Sequence, residues 1–125
     1  MRTMKTSDLT GAALDWAVAK CEGIGVWYDD LPQMLRTTKG GAKEYAPSDN
    51  WAQGGPIIER EKISLEFLPG AGDTGADVWI ATRIERPAVS EEQGPTPLIA
   101  AMRCFVASKL GEIVEVPREL YKEDV

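Results

Sequence analysis

The chain contains no histidine. That absence removes the commonest general base, the Ser-His-Asp and Cys-His nucleophile arrangements, HNH-type nucleases and every histidine-ligated zinc site. Cysteine is almost missing as well: Cys21 and Cys104 stand far apart, with no C-x-x-C pair. A cysteine zinc site is therefore excluded, and both thiols read as small buried hydrophobes in a reduced compartment. No apolar run approaches the ~20 residues that a membrane-spanning helix needs. The longest, over 97–102, runs straight into Arg103. Behind Met1-Arg2-Thr3-Met4-Lys5 there is no apolar segment of the secretory kind, so the expectation is an unprocessed cytosolic product. Basic residues are also scarce, 14 Lys and Arg against 20 Asp and Glu, for a net charge of −6. Direct DNA or RNA binding draws on dense Lys and Arg to displace counterions, so it is not expected here, and neither is an acidic membrane surface. A basic protein partner, or no charged partner, suits this charge better. Negative residues gather late in the chain, at Glu112, Glu115, Glu119, Glu123 and Asp124, where a solvated tail is expected.

What remains is enough for one folded domain spanning 1–125. The 125 residues are 43% hydrophobic and 27% charged, which supports a core and argues against a disordered chain. Residues 2–5 read as a short strand. Thr6-Ser7-Asp8-Leu9-Thr10 offers N-cap side chains, and a helix follows from about 9 or 10 to 21. Leu9, Ala13, Trp16, Ala17 and Cys21 recur at helical spacing, Asp15 and Lys20 point elsewhere, and Gly23 sits where a terminating glycine belongs. Residues 24–28 read as a strand. The stretch 29–50, with Pro32, Gly40, Gly41 and Pro47, reads as a long loop with a helical turn near 33–36.

A short helix over 56–61 is expected next, with Pro56 at its first position after the Gly54-Gly55 pair. Strand alternation is clear in 63–67, with Ile63, Leu65 and Phe67 on one face, and resumes over 77–85. There Val78, Ile80, Thr82 and Ile84 share one face, and Trp79, Ala81 and Arg83 the other. These two segments form the best hairpin candidate. After a polar loop over 86–95, Thr96-Pro97 supplies an N-cap and a first-turn proline for a helix ending at Leu110 before Gly111. That helix is apolar nearly all round, interrupted mainly by Arg103, and so belongs in the core, lying across the sheet. Residues 113–116 add an edge strand. The fold class is α+β, a small mainly antiparallel sheet packed against an N-terminal helix and a long apolar C-terminal helix.

Three blocks carry a family likeness: LTGAALDWAVAKCEG over 9–23, PSDNWAQGGPIIERE over 47–61 and GPTPLIAAMRCFVASKLG over 94–111. In that order they resemble the NinX-like proteins of tailed phages and prophages. The loops at 29–46 and 69–77 look less typical. The resemblance implies a small accessory protein in the host cytoplasm of a bacterium. It implies no reaction and no cofactor.

The most suggestive constellation lies in the second block. Asn50 and Gln53 offer amide groups to a base edge or polar ligand, and Trp51 offers a stacking surface. Gly54 and Gly55 let backbone N–H groups approach closely. A helix starting near Pro56 would turn its positive end toward an anion, with Glu59 and a phosphate-pairing Arg60 following. Against this stands a plain packing role, with Trp51 in the core and the glycines making a turn, since no GxxxxGK[ST] loop is present. Of the four tryptophans, Trp16 is expected in the core, and Trp79 either lines a second pocket or dimer contact or is covered by its own chain. The carboxylate pairs Asp29-Asp30, Glu59 with Glu61, and Glu91-Glu92 read as solvated surface. Ser108-Lys109 are helix neighbours that do not face each other, so they make no dyad.

The leading expectation is a non-enzymatic accessory protein that works by binding, capturing a small anionic ligand of the nucleotide type to counter host defence. The alternative is an adaptor or inhibitor of a host protein, acting through the acidic surface and Trp79. A metal-dependent hydrolase built on carboxylates is a remote third. Spare aromatics also fit a homo-oligomer.

Overall fold

The fold was obtained as a computed structural model that describes residues 1–30, 33–37 and 43–120. Along the chain run β1 (Arg2–Lys5), a 3-10 turn (Thr6–Asp8), α1 (Gly11–Glu22), β2 (Trp27–Asp30), β3 (Gln33–Thr37), β4 (Lys43–Glu44) and α2 (Trp51–Glu61). Then come β5 (Ser64–Leu68), β6 (Val78–Glu85), β7 (Ala88–Gly94), α3 (Pro97–Leu110), β8 (Ile113–Val116) and a last 3-10 turn (Arg118–Leu120). The class is α+β, as the patterning indicates. Among the described residues the strands divide into three small antiparallel sheets, β1–β8, β2–β3–β4 and β5–β6–β7, instead of forming one.

Helix α3 begins as its sequence dictates: the Thr96 hydroxyl accepts the Ile99 N–H at 3.1 Å, and Pro97 occupies the first turn, where no N–H is needed. Leu98, Ala100, Ala101, Met102, Cys104, Phe105 and Val106 are all buried. The helix touches α1, α2, β6, β7, β8 and the first 3-10 turn. Arg103, the polar interruption, donates from Nε to the Leu9 carbonyl at 2.8 Å and from a terminal nitrogen to the Gln93 carbonyl at 2.9 Å. Helix α1 packs beside it and ends at Gly23, whose φ of 69° lets its N–H bond back to Ala19 and Lys20.

Five sequence expectations need correction. The strand expected over 24–28 lies at Trp27–Asp30. The helical turn expected near 33–36 is strand β3, in which Leu35 and Thr37 are buried and Met34 and Arg36 half-exposed. That period-two signal is too short to stand out in a polar stretch. Pro32, Gly40 and Gly41, read as loop, lie outside the described residues. The polar loop over 86–95 is largely strand β7, which turns back on β6 through the two-residue Arg86-Pro87 connection with a cis peptide bond. Helix α2 starts at Trp51 and carries Gly54, Gly55 and Pro56 inside it, where the sequence places its start at Pro56. Asp15, expected to point away, is buried.

Register decides the faces of the β5–β6–β7 sheet. Leu65 pairs with Ala81 and Phe67 with Trp79. Leu65, Ala81 and Trp79 join the core beneath α3, so Trp79 is covered by its own chain. Successive side chains alternate, so Val78, Ile80, Thr82 and Ile84 face the other way, beside Val89, Glu91 and Gln93 of β7. Ile84 and Val89 are each 61% exposed.

Two glycines let backbones meet. A Cβ on Gly94 would lie 2.6 Å from the Ala100 nitrogen, which brings β7 directly against α3. A Cβ on Gly54 would collide with the Pro47 carbonyl oxygen and lie 2.6 Å from Leu98 Cδ2. Gly54→Ala is expected to destabilise the fold by about 1–3 kcal/mol through overpacking. Gly55→Ala, whose new methyl would meet only Trp51 Cε3 at 3.9 Å, is expected to be neutral or to gain up to about 1 kcal/mol from helix propensity. Urea denaturation of the two variants checks this, and equal effects would contradict the close approach at position 54.

Candidate functional site

The seven residues singled out by sequence lie on or at the head of α2 and, among the described residues, do not converge on one cavity. Asn50 caps the helix with its own side chain, which accepts the Ala52 N–H at 2.8 Å. The positive end of the helix therefore lies at 50–52 and is already occupied in part. Trp51 is 55% exposed, so it does not plug the core, and among the described residues it lines no cavity with Arg60. Gln53 is held at both ends: its oxygen accepts the Ala46 N–H at 2.7 Å and its amide donates to the Glu44 carbonyl at 2.9 Å. Gly54 is a packing contact, Gly55 lies beside Trp51, and Glu59 is exposed.

Arg60 has every donor nitrogen engaged. Its terminal nitrogens grip Glu22 at 3.0 and 2.9 Å, its Nε donates to Glu61 at 2.9 Å, and its guanidinium lies 5.8 Å from the Phe105 ring centroid. Glu61 also meets Arg83 at 3.1 Å and Lys109 at 3.6 Å. Burial alone would raise the Glu61 carboxyl, but the Arg60 hydrogen bond and the Lys109, Arg60 and Arg83 charges outweigh it and hold the pKa low. The network ties α1, α2, β6 and α3 together, so Arg60 is a structural cation.

Two clefts border this region. One, of about 290 Å³, lies between α2 and the β3–β4 strands and is lined by Ile24, Ile57, Tyr45, Thr37, Lys43 and Gln53, among others. Gln53 is the member of the predicted set that reaches it. The second, also about 290 Å³, opens at the head of α1, where Thr10, Gly11, Asp15, Glu44, Ser48 and Asp49 contribute. Asp15 sits there 4% exposed, and its carboxyl oxygen accepts the Ser48 N–H at 2.8 Å. Burial pushes its pKa up to about 7, against the opposing effect of the Ser48 hydrogen bonds.

Sequence reasoning missed both Asp15 and Tyr45. Asp15 carried a usable signal: it sits between Leu14 and Trp16 in a helix apolar on most sides, so any polar group there would be enclosed. Tyr45 carried none. The two thiols, Cys21 and Cys104, are pushed up to about 11 by burial and stay protonated near neutrality. Among the described residues no cluster of three or more Cys, Asp or Glu is placed to hold a metal ion. No helix among them is long and apolar enough to cross a membrane.

The family model described as Bacteriophage P22, NinX matches residues 5–109. No curated protein matches the chain.

The raised Asp15 pKa has a stability consequence. Above its unfolded pKa near 3.8, the folded state holds a proton that the unfolded chain has released, so stability falls as pH rises. The contribution is complete below about pH 4 and is lost as pH passes about 7, a drop of about 4 kcal/mol. Urea denaturation of the wild type and Asp15→Asn between pH 4 and 8 should show this slope in the wild type and a flatter one in the variant. Identical slopes would rule out a buried neutral carboxyl.

Proposed function

The chain belongs to the bacteriophage P22 NinX family, and from that premise we propose that it is a non-enzymatic accessory protein of the host cytoplasm. It works by binding a host protein on the open face of the β5–β6–β7 sheet. The carrying observation is that face itself. Leu65, Trp79 and Ala81 pack toward α3, while the other side carries half-buried Val78 and Ile80 together with Ile84 and Val89, each 61% exposed. Aliphatic side chains gathered on one sheet face with two of them largely in water are unfavourable, and such patches mark interaction surfaces.

The charge on the same face selects the occupant. Alternation puts Ser64, Glu66, Thr82, Glu91 and Gln93 among the aliphatics, so its charged side chains are both acidic. A second copy of this chain would bring like charge against like, at a net charge of −6 per chain. An aliphatic strip flanked by Lys and Arg on a host protein matches both the apolar and the acidic elements. Trp79, the contact residue expected for an adaptor, lies beneath α3, so the surface is the opposite side of its strand.

Small-anion capture by Asn50, Trp51, Gln53, Gly54, Gly55, Glu59 and Arg60 has weaker support. It needs a free cation and a free helix start, and Arg60 and Asn50 supply neither.

The test places a photoreactive side chain at position 89, and at exposed position 59 as a control, in the chain expressed in its bacterial host. A crosslink to one host protein from position 89 alone is expected. The purified pair should weaken at least tenfold with Glu66→Lys and Glu91→Lys combined, and also as salt is raised, while the thermal melt of the variant stays close to that of the wild type. A crosslink to a second copy, no adduct from position 89, or a partner indifferent to the charge reversal would each overturn the proposal.

A further inference from the structure

The two edges of the β5–β6–β7 sheet differ. Along β7 the edge is occupied: α3 packs on β7, and Arg103 donates to the Gln93 carbonyl at 2.9 Å. Along β5 it is bare. Among the described residues β5 pairs with β6 alone, and no further backbone group bonds to residues 64–68.

Register and loop length fix which groups point outward. A two-residue hairpin connection closes on a pair of residues that exchange both hydrogen bonds, here Glu85 and Ala88. Alternation along β6 then directs the N–H and C=O groups of Val78, Ile80 and Thr82 toward β5, where they meet Leu68, Glu66 and Ser64. Leu65 and Phe67 are left with their backbone groups turned away from β6. The Ile63 N–H shares that phase and bonds back to the Ile58 carbonyl at 3.1 Å. Unpaired groups along an edge are a template for another strand.

The side chains beside this edge differ between its two faces. Leu65 and Phe67 lie on the α3 side, but α3 packs mainly on β6 and β7, and Phe67 stays 45% exposed with its ring centroid 5.2 Å from that of Trp79. Glu66 lies on the open side and is exposed. An incoming strand therefore meets apolar, acidic and apolar positions in turn.

We propose that β5 is a docking edge for an extended segment of a basic protein partner. The segment adds antiparallel to the three strands already present, with apolar side chains opposite Leu65 and Phe67 and a Lys or Arg opposite Glu66. This rests on the reading of the sheet as a host-protein site and adds backbone pairing to the side-chain contacts of its open face. Charge selects against a second copy: in the full symmetric register its β5 would set Glu66 against Glu66, an unfavourable like-charge pair.

The experiment adds the peptide acetyl-KVKVKVK-amide to the isotope-labelled full chain and follows amide hydrogen exchange by NMR. The Leu65 and Phe67 amides are expected to exchange fast in the free chain and about tenfold more slowly with peptide bound. N-methylation of the valines, whose N–H groups face the edge, should weaken binding about tenfold, while N-methylation of the lysines, whose N–H groups point away, should not. The glutamate analogue EVEVEVE should not bind. No binding at millimolar peptide, unchanged exchange at Leu65 and Phe67, indifference to valine N-methylation, or equal binding of the glutamate analogue would each overturn strand addition. So would protection of those amides that rises with the concentration of the free chain, which would give the edge to a second copy. The crosslink from position 89 reads the open face without the edge. A host adduct there beside a failed peptide test sinks strand addition alone, and a missing adduct sinks the sheet-face reading whatever the peptide does.

Discussion

A two- or three-stranded sheet has too little area to close a core of its own. This chain holds three of them among its described residues, and each packs on α1, on α3 or on both. Met4, Val114 and Val116 bring the β1–β8 pair into the core, Leu35 brings β3, and Ala81 brings β6. At the centre lies α3, with half of its fourteen residues buried on several sides. The packing can be this close because Gly94 and Gly54 present no side chain where β7 and α2 meet the α3 region. The position of α2 follows from a missing methyl group at residue 54.

Polar contacts then fix what apolar packing leaves free. Hydrophobic burial is non-directional and would tolerate some rotation of α2 against its neighbours. The Arg60 fork on Glu22, together with Glu61 between Arg60, Arg83 and Lys109, sets that orientation with charge-assisted contacts. The Gln53 side chain does the same at the other end of the helix by closing on the backbone of residues 44 and 46. Residues whose types suggest a ligand site are thus spent on holding α2 in place. Amide, guanidinium and glycine are chemically suited to either task, and their identity alone does not separate the two.

That ambiguity marks the boundary of what the sequence makes legible. Helix α3, its Thr96 cap, the Gly23 stop and the β5–β6 hairpin are all readable, because local chemistry and periodicity agree over many residues. Strands β3, β4 and β7 are not, because each is short or polar and is defined by its pairing partner and not by its own pattern. The early start of α2 is hidden because Gly54, Gly55 and Pro56 look like a break, while the Asn50 cap and the contact with Pro47 override propensity. Alternation in β6 is legible, but which face meets α3 is not. Trp79 and Ala81 go inward and the branched aliphatics outward, the reverse of what hydrophobicity alone favours.

On the open sheet face the charged side chains are Glu66 and Glu91, so its occupant needs to be basic. The cations nearest to α2 do not offset them, because Arg60, Arg83 and Lys109 are held by Glu22, Glu61 and Glu85. Those ion pairs orient helices and leave the sheet face uncompensated. On a chain with net charge −6, the acidic excess therefore suits that face to a basic macromolecule.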